Sequence, residues 1–199
     1  MILDALALPA VILVLLTSCF LLIVRDWRLT LAALGLQYVG VLLLTALSWP
    51  IEIAVVKLVT GWMCAAVLGV ALINTTSADI LYEAELSRSG IVFRILAAAL
   101  AGLVAYTWGG KLVVFIPEIA PEQAYGGLIL LLMGLLHLGL TDRPLRVIVG
   151  LMTVLSGFEV LYAPLERAAL VAGLLAAVNL SLALVGAFLI NAPFAGEQE

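Results

Sequence analysis

Charged residues are scarce in this chain, and their scarcity excludes most classes of soluble protein. Only 11% of the 199 residues are Asp, Glu, Lys or Arg, whereas 65% are hydrophobic. Soluble domains carry about 25% charged residues. The net charge of −4 is small and gives no sign of nucleic-acid binding. Composition alone therefore predicts an integral membrane protein.

The chain is equally poor in residues that bind metals or redox cofactors. Its two cysteines, Cys19 and Cys64, lie within apolar runs, and neither has another Cys or His at metal-ligand spacing. Haem-ligand pairs, iron–sulfur cysteine sets and nucleotide-binding loops are also missing from the sequence. We therefore predict no metal site, no cofactor and no catalytic residue.

Long apolar runs, in contrast, fill nearly the whole chain. A transmembrane helix needs about 20 apolar residues, and such runs lie at residues 3–24, 29–47, 51–73, 90–108, 125–141, 144–163 and 167–190. They predict an all-α fold, a polytopic transmembrane bundle of about seven spans. The stretch from Lys111 to Gln123 is too short to span, and we interpret it as an interfacial segment held by Trp108, Lys111 and Tyr125.

Basic residues are distributed unequally between the two predicted faces. With seven spans, one face carries most of the arginines, namely Arg25, Arg28, Arg88, Arg94, Arg143 and Arg146, while the other carries only Lys111 and Arg167. Cytoplasmic loops are richer in Lys and Arg. We therefore predict a protein of the inner (cytoplasmic) membrane, with its N-terminus outside and its C-terminus in the cytoplasm.

The first three spans and the last three share short motifs. Gly35-Leu36-Gln37 matches Gly150-Leu151-Met152, and Trp49-Pro50-Ile51-Glu52 matches Ala163-Pro164-Leu165-Glu166. A chance similarity between apolar helices is the alternative explanation. The motifs favour an internal three-helix repeat, in which the fourth span gives both copies the same orientation in the membrane.

This repeat predicts three regions in the chain. Residues 1–73 form the first three-helix unit. Residues 74–124 contain a polar loop, a linking helix and the interfacial segment. Residues 125–199 form the second three-helix unit and a short cytoplasmic tail.

Two stretches resemble a known membrane family. The sequence R-L-T-L-A-A-L-G-L-Q, from Arg28 to Gln37, is similar to the three-span subunit K of respiratory complex I and to the C subunit of Mrp-type cation/proton antiporters. The stretch from Arg146 to Ala163 is similar in pattern. Two such units in one chain resemble hydrogenase-4 component E, a membrane subunit of complex-I-related hydrogenases. The resemblance does not cover residues 74–124.

The resemblance implies a non-catalytic subunit that helps form or seal a proton or sodium path. Its expected partners are antiporter-like and other membrane subunits, together with lipid. The chain departs from the family, however, where the glutamate of Gly-Leu-Glu is replaced by Gln37 and Met152. A second family carboxylate is expected near residues 63–66 and near Asn179, and neither position is acidic. A proton relay through those two carboxylates is absent here in that form.

Lys57 is the first of five candidates for an ion path, which are Lys57, Glu159, Gln37, Asn179 and Glu52. It lies roughly 9 Å into the third span at 1.5 Å per residue, where a charge costs about 2.5–3.5 kcal/mol. The lysine either pairs with a carboxylate from another helix or subunit, or snorkels to the interface. Glu52 is five residues away and is poorly aligned for pairing on the same helix.

Glu159 lies seven residues after Met152 and so on the same helix face. We hypothesise that it takes over the role of the missing carboxylate, the alternative being an interfacial carboxylate in water near Tyr162. Gln37 and Asn179 either hydrogen-bond between helices or line a hydrated path. Several glycines are predicted to be helix-packing sites: Gly61, Gly69, Gly150, Gly157, Gly173 and Gly186.

Two further functions remain open from the sequence. One is a purely structural scaffold subunit. The other is a stand-alone small transporter, for which an internal repeat is also typical. The few polar residues in the spans argue against a hydrophilic substrate.

Overall fold

Seven α-helices make up the described part of the computed structural model, which comprises residues 2–75 and 87–192. In chain order they are α1 (Ile2–Ile23), α2 (Trp27–Thr45), α3 (Ile51–Asn74), α4 (Arg88–Phe115), α5 (Pro121–Gly139), α6 (Pro144–Tyr162) and α7 (Ala169–Asn191). All seven are long and apolar enough to cross a membrane. The predicted all-α fold with seven spans is confirmed, and the chain is a multi-pass membrane protein. Most of the predicted polar loop and of the C-terminal tail lies outside the described residues.

Local side-chain chemistry explains where several helices begin. Asp26 caps α2, because its carboxylate accepts a hydrogen bond from the backbone N–H of Arg28 at 2.7 Å. Pro121 and Pro144 are the first residues of α5 and α6, where the missing N–H of proline costs little. Pro50 directly precedes α3. These turns are short, so the helices that each of them joins are antiparallel neighbours.

The predicted interfacial segment from Lys111 to Gln123 is wrong as a separate element. Helix α4 continues to Phe115 and α5 begins at Pro121, so that only residues 116–120 lie between the two helices. Lys111 does lie over the ring of Trp108, at 4.7 Å from the ring centroid. Two of the three predicted anchors are therefore neighbours on α4, and the third, Tyr125, lies on α5.

A glycine pair lies where the predicted span ends at residue 108, whereas α4 continues to Phe115. Gly109 and Gly110 follow the predicted end of this span, yet both are helical. A Cβ atom on Gly109 would overlap the ring of Tyr125. Gly109 therefore lets α5 approach α4 closely, and it does not end the helix.

Helices of the first predicted unit pack against the corresponding helices of the second. Contacts join α1 to α5, α2 to α6 and α3 to α7, in addition to the contacts between consecutive helices within each unit. Helix α4 packs mainly on α5 and touches α1. Two units related by an approximate twofold axis would give this pairing. The repeat and the three regions drawn from it stay a prediction.

Glycines bring α5 and α6 into backbone contact. A Cβ atom on Gly157 would lie 2.5 Å from the backbone nitrogen of Leu131, and one on Gly134 would lie 2.7 Å from that of Val154. Lipid provides no hydrophobic force between helices, so such close van der Waals packing is a main source of their association.

The predicted glycine packing sites are confirmed with one exception. A Cβ atom would meet neighbouring atoms at Gly61, Gly69, Gly150, Gly157 and Gly186. It would meet no atom within 4 Å at Gly173, so the prediction for Gly173 is wrong. This residue faces open space on α7.

The contrast between these positions gives a matched test of helix packing. We expect Gly157→Ala to lower the free energy of unfolding by about 1–3 kcal/mol, because backbone atoms of α5 cannot move aside as a flexible side chain could. Gly173→Ala provides the same gain in helix propensity without a clash. Thermal unfolding of the two purified variants measures the difference, and equal stability would contradict the packing described here.

The arginines predicted to share one face do lie at one end of the bundle. Arg25 lies in the turn between α1 and α2, and Arg28 lies in the first turn of α2. Arg88 and Arg94 lie in the first two turns of α4. The last two, Arg143 and Arg146, lie at the start of α6. The side of the membrane that this end faces stays a prediction.

Cysteine labelling tests that orientation. In a background without Cys19 and Cys64, we expect Ile80→Cys and Gln198→Cys to react only from the cytoplasmic side. Glu118→Cys, at an exposed position between α4 and α5, should react from the outside. Labelling of residue 198 from outside would overturn the predicted topology.

Candidate functional site

A buried ion pair joins α3 to α6. The Nζ atom of Lys57 lies 2.6 Å from Oε1 of Glu159, and both side chains expose 0% of their surface. Charged side chains inside membrane proteins are usually accommodated by such pairing. The prediction that Lys57 pairs with a carboxylate from another helix is confirmed, and the alternatives of a snorkelling lysine and a solvated Glu159 are wrong.

The ion pair lies near the end of the bundle at which α3 begins and α6 ends. Lys57 lies about 9 Å beyond the first residue of α3, and Glu159 lies about 4.5 Å before the last residue of α6. The turns at these two helix ends are also joined, because the indole N–H of Trp49 donates to the carbonyl of Glu166 at 2.8 Å. This hydrogen bond joins the two turns nearest the ion pair.

Asn179 and Tyr38 extend the pair across four helices. The amide Nδ2 of Asn179, on α7, donates to Oε1 of Glu159 at 3.0 Å. The hydroxyl of Tyr38, on α2, donates to Oδ1 of Asn179 at 3.0 Å. Both residues are buried. We call these four residues, Lys57, Glu159, Asn179 and Tyr38, the Lys57 cluster.

Gly61 gives the ring of Tyr38 its place in this cluster. A Cβ atom on Gly61 would overlap the ring of Tyr38. Any larger residue would push the ring away from α3 and withdraw its hydroxyl from Asn179. The cluster therefore depends on a glycine one turn after Lys57.

The second oxygen of Glu159 is not satisfied. Oε2 is buried and has no hydrogen-bond partner among the described residues. A carboxylate offers about four acceptor positions, and leaving a buried acceptor unpaired costs about 1–3 kcal/mol. Oε2 is therefore the atom of the cluster at which a proton or a water molecule can be accepted.

A second group of buried polar residues joins α1, α2 and α6. Nε2 of Gln37 donates to the hydroxyl of Ser18 at 3.0 Å. The hydroxyl of Thr153 lies 3.4 Å from Oε1 of Gln37 and 2.8 Å from the carbonyl of Val149, so these two acceptors share its one proton. We call these three residues, Gln37, Ser18 and Thr153, the Gln37 cluster. Gln37 therefore hydrogen-bonds between helices, as predicted. Its proposed place in a hydrated path stays a prediction.

One face of α6 connects the two clusters. Thr153, Ser156 and Glu159 recur at every third residue and are all buried. Toward the start of α6 the same side of the helix carries Val149 and Leu145, which are buried in the main hydrophobic core, and also the buried Arg146. Val149 thus separates the polar residues of the two clusters from this arginine.

An apolar plug closes the end of the bundle next to the Lys57 cluster. It consists of the buried residues Trp49, Ala163 and Ala172, with Ile53 packed against them. Ile53 lies one turn before Lys57, and Ala163 lies one turn after Glu159, on the same helix faces. The plug explains why neither charge reaches the surface.

Glu52 does not join either cluster. Its side chain is exposed in the first turn of α3. The structure therefore brings together three of the five candidates, Lys57, Glu159 and Asn179. It places Gln37 in the neighbouring cluster and leaves Glu52 at the end of the bundle.

Four residues of the two clusters and of the α6 face are not among the candidates from the sequence: Tyr38, Ser18, Thr153 and Ser156. Tyr38 carried a usable signal, because tyrosines of membrane proteins are enriched at the interfaces and this one lies in the middle of its span. The serines carried none, since a hydroxyl inside a helix commonly bonds to its own backbone.

Buried arginines stabilise the opposite end of the bundle. Arg94 donates to the carbonyls of Leu22 at 2.8 Å and of Leu140 at 2.9 Å. Arg146 donates to the carbonyl of Val24. Cations at the C-terminal end of a helix satisfy its last carbonyls and oppose its dipole. These arginines therefore hold α4, α5 and α6 against the end of α1.

Comparisons with protein-family models, with characterised proteins and with solved structures found no match to this chain. Within the described residues, no group of three His, Cys, Asp or Glu side chains could hold a metal ion. The function has therefore to be inferred from the geometry of the two clusters.

A double-mutant cycle tests the coupling of the ion pair. We expect Lys57→Met and Glu159→Gln each to lower the free energy of unfolding by about 3–5 kcal/mol, because each leaves one buried charge without its partner. The double variant should recover most of that loss. Glu52→Gln, which removes an exposed carboxylate from the same end of α3, is the control and should change stability little. Additive losses in the double variant would show that the two side chains are not coupled.

Proposed function

We propose that this chain is a non-catalytic membrane subunit of a complex-I-like, hydrogenase-type or Mrp-type assembly that translocates protons or sodium ions. In this proposal it helps form or seal the ion path beside an antiporter-like subunit. The observation that carries the proposal is the buried Lys57–Glu159 pair.

The pair supports this function because its charges are expensive in a membrane. Ionisable residues inside transmembrane segments commonly mark ion or proton routes. Oε2 of Glu159 has no hydrogen-bond partner among the described residues, so the carboxylate has a position at which to receive a proton. Protonation of Glu159 would leave the charge of Lys57 without a partner. The free energy of that protonation would therefore depend on any other charged group that approaches Lys57.

The distribution of buried polar groups supports a partial path. The two clusters and Ser156 lie along α6 from Thr153 onward, and Val149, in the main apolar core, separates them from the buried Arg146. This face of α6 therefore offers no continuous row of polar side chains across the bundle. A path that uses the Lys57 cluster would therefore need groups from a second subunit, which agrees with a subunit and disfavours a stand-alone transporter.

A purely structural scaffold is the second candidate, and a different set of contacts favours it. The amide of Gln123 accepts from the hydroxyl of Ser48 at 2.9 Å and donates to the carbonyl of Leu44 at 2.9 Å. This residue is buried and ties α5 to the end of α2. Hydrogen bonds of this kind hold helices together without any role in transport.

The double variant separates the two candidates in the native assembly. Lys57→Met combined with Glu159→Gln leaves no unpaired charge, so we expect the assembly to form normally. We expect coupled ion pumping in membrane vesicles to fall strongly, because the variant has lost both ionisable groups of the pair. Glu52→Gln is the control and should pump normally.

A scaffold role predicts the opposite result for the double variant. If the chain only holds the assembly together, an assembly that contains both substitutions should pump as well as the wild type. Normal pumping by a fully assembled double variant would therefore overturn the ion-path proposal and favour the scaffold.

Reconstitution of the isolated chain tests the need for a partner. We expect no protein-dependent proton or sodium flux in liposomes that contain a pH-sensitive or sodium-sensitive dye, because the apolar core at Val149 interrupts the described buried polar residues of α6. A flux that Glu159→Gln abolishes would instead support a stand-alone transporter.

A further inference from the structure

A long apolar groove lies between α1, α4 and α5. It has a volume of about 750 Å³. Along α1 it extends from Leu8 to Ile23, and along α4 from Arg94 to Tyr106. At 1.5 Å per residue these stretches are roughly 18–22 Å long. The groove therefore follows the helices for more than half of a hydrocarbon core about 30 Å thick.

The groove is long and slender. A volume of about 750 Å³ over a length of about 20 Å gives a mean cross-section of roughly 40 Å². Arg94 also crosses one end of the groove, because it donates from α4 to the carbonyl of Leu22 on α1 at 2.8 Å. An acyl chain is slender enough to lie in such a space.

Charge differs between the two ends of the groove. Arg94 lines one end, and the exposed Arg88 lies at the same end of α4. Glu122 lines the other end, together with Tyr106 and Tyr125. The charged residue that lines the first end is therefore basic and the one that lines the second end is acidic, which favours a negatively charged headgroup at the first end.

We propose that this groove binds one anionic phospholipid, with an acyl chain between α1 and α4 and its headgroup at the Arg94 end. The small residues Ala98, Ala99 and Gly102 of α4 provide the space for the chain. A Cβ atom on Gly102 would meet no atom within 4 Å. This inference is independent of the proposed role in ion translocation.

Filling the groove tests the proposal. Gly102→Phe places a ring in the groove, and Gly173→Phe is the matched control, since a Cβ atom there also meets no atom within 4 Å. Native mass spectrometry of the proteins in mild detergent counts the phospholipids that each retains. We expect one retained anionic phospholipid in the wild type and in Gly173→Phe, and its loss in Gly102→Phe.

Added lipid provides a second measurement. After removal of lipid, phosphatidylglycerol should raise the melting temperature of the wild type more than phosphatidylcholine does, because a ligand that binds the folded state stabilises it. Gly102→Phe should lose this difference, and Arg88→Gln should reduce it.

Three results would overturn the proposal. They are equal lipid retention by both glycine variants, no retained lipid in the wild type, and equal stabilisation by the two lipids. A partner helix as the occupant would give another contrary result: Gly102→Phe would lose a subunit of the native assembly that Gly173→Phe retains.

Discussion

Two opposite charges, held 2.6 Å apart away from water, are the interaction on which the site depends. Replacing a buried ion pair by apolar residues of similar size is often neutral or stabilising, whereas removing one partner is strongly destabilising. Lys57 and Glu159 therefore constrain each other more than they stabilise the fold. Helices α3 and α6 must keep their relative depth, because a displacement by one turn would leave both charges in an apolar environment.

The neighbouring residues meet this constraint by close packing. Gly61 admits the ring of Tyr38, whose hydroxyl orients Asn179 toward the carboxylate. Gly157, two residues before Glu159, lets α6 lie against the backbone of α5. The hydrogen bonds of the Lys57 cluster thus depend on two glycines, Gly61 and Gly157.

Composition and length were sufficient to predict the seven spans, because an apolar run of about 20 residues has few alternatives in a membrane. The sequence singled out Lys57 and left two alternatives for it, a carboxylate partner from another helix or subunit and a snorkelling side chain. It could not identify Glu159 as that partner, since the choice depends on which helices are neighbours and at what depth. The predicted end of the fourth span, residue 108, differs from the observed end of α4 for a related reason. Gly109 packs against Tyr125 of α5, and the local sequence does not reveal a contact between two different helices.

The apolar plug has a kinetic consequence. The bond from Trp49 to the carbonyl of Glu166 ties the turn before α3 to the turn after α6. A water molecule that approached Glu159 from the nearer side would have to pass this joint, and local opening of packed segments takes microseconds or longer. The rate of proton exchange between Glu159 and that side would then be limited by the opening of the two turns. A substitution at Trp49 could change this rate while both charges stay in place.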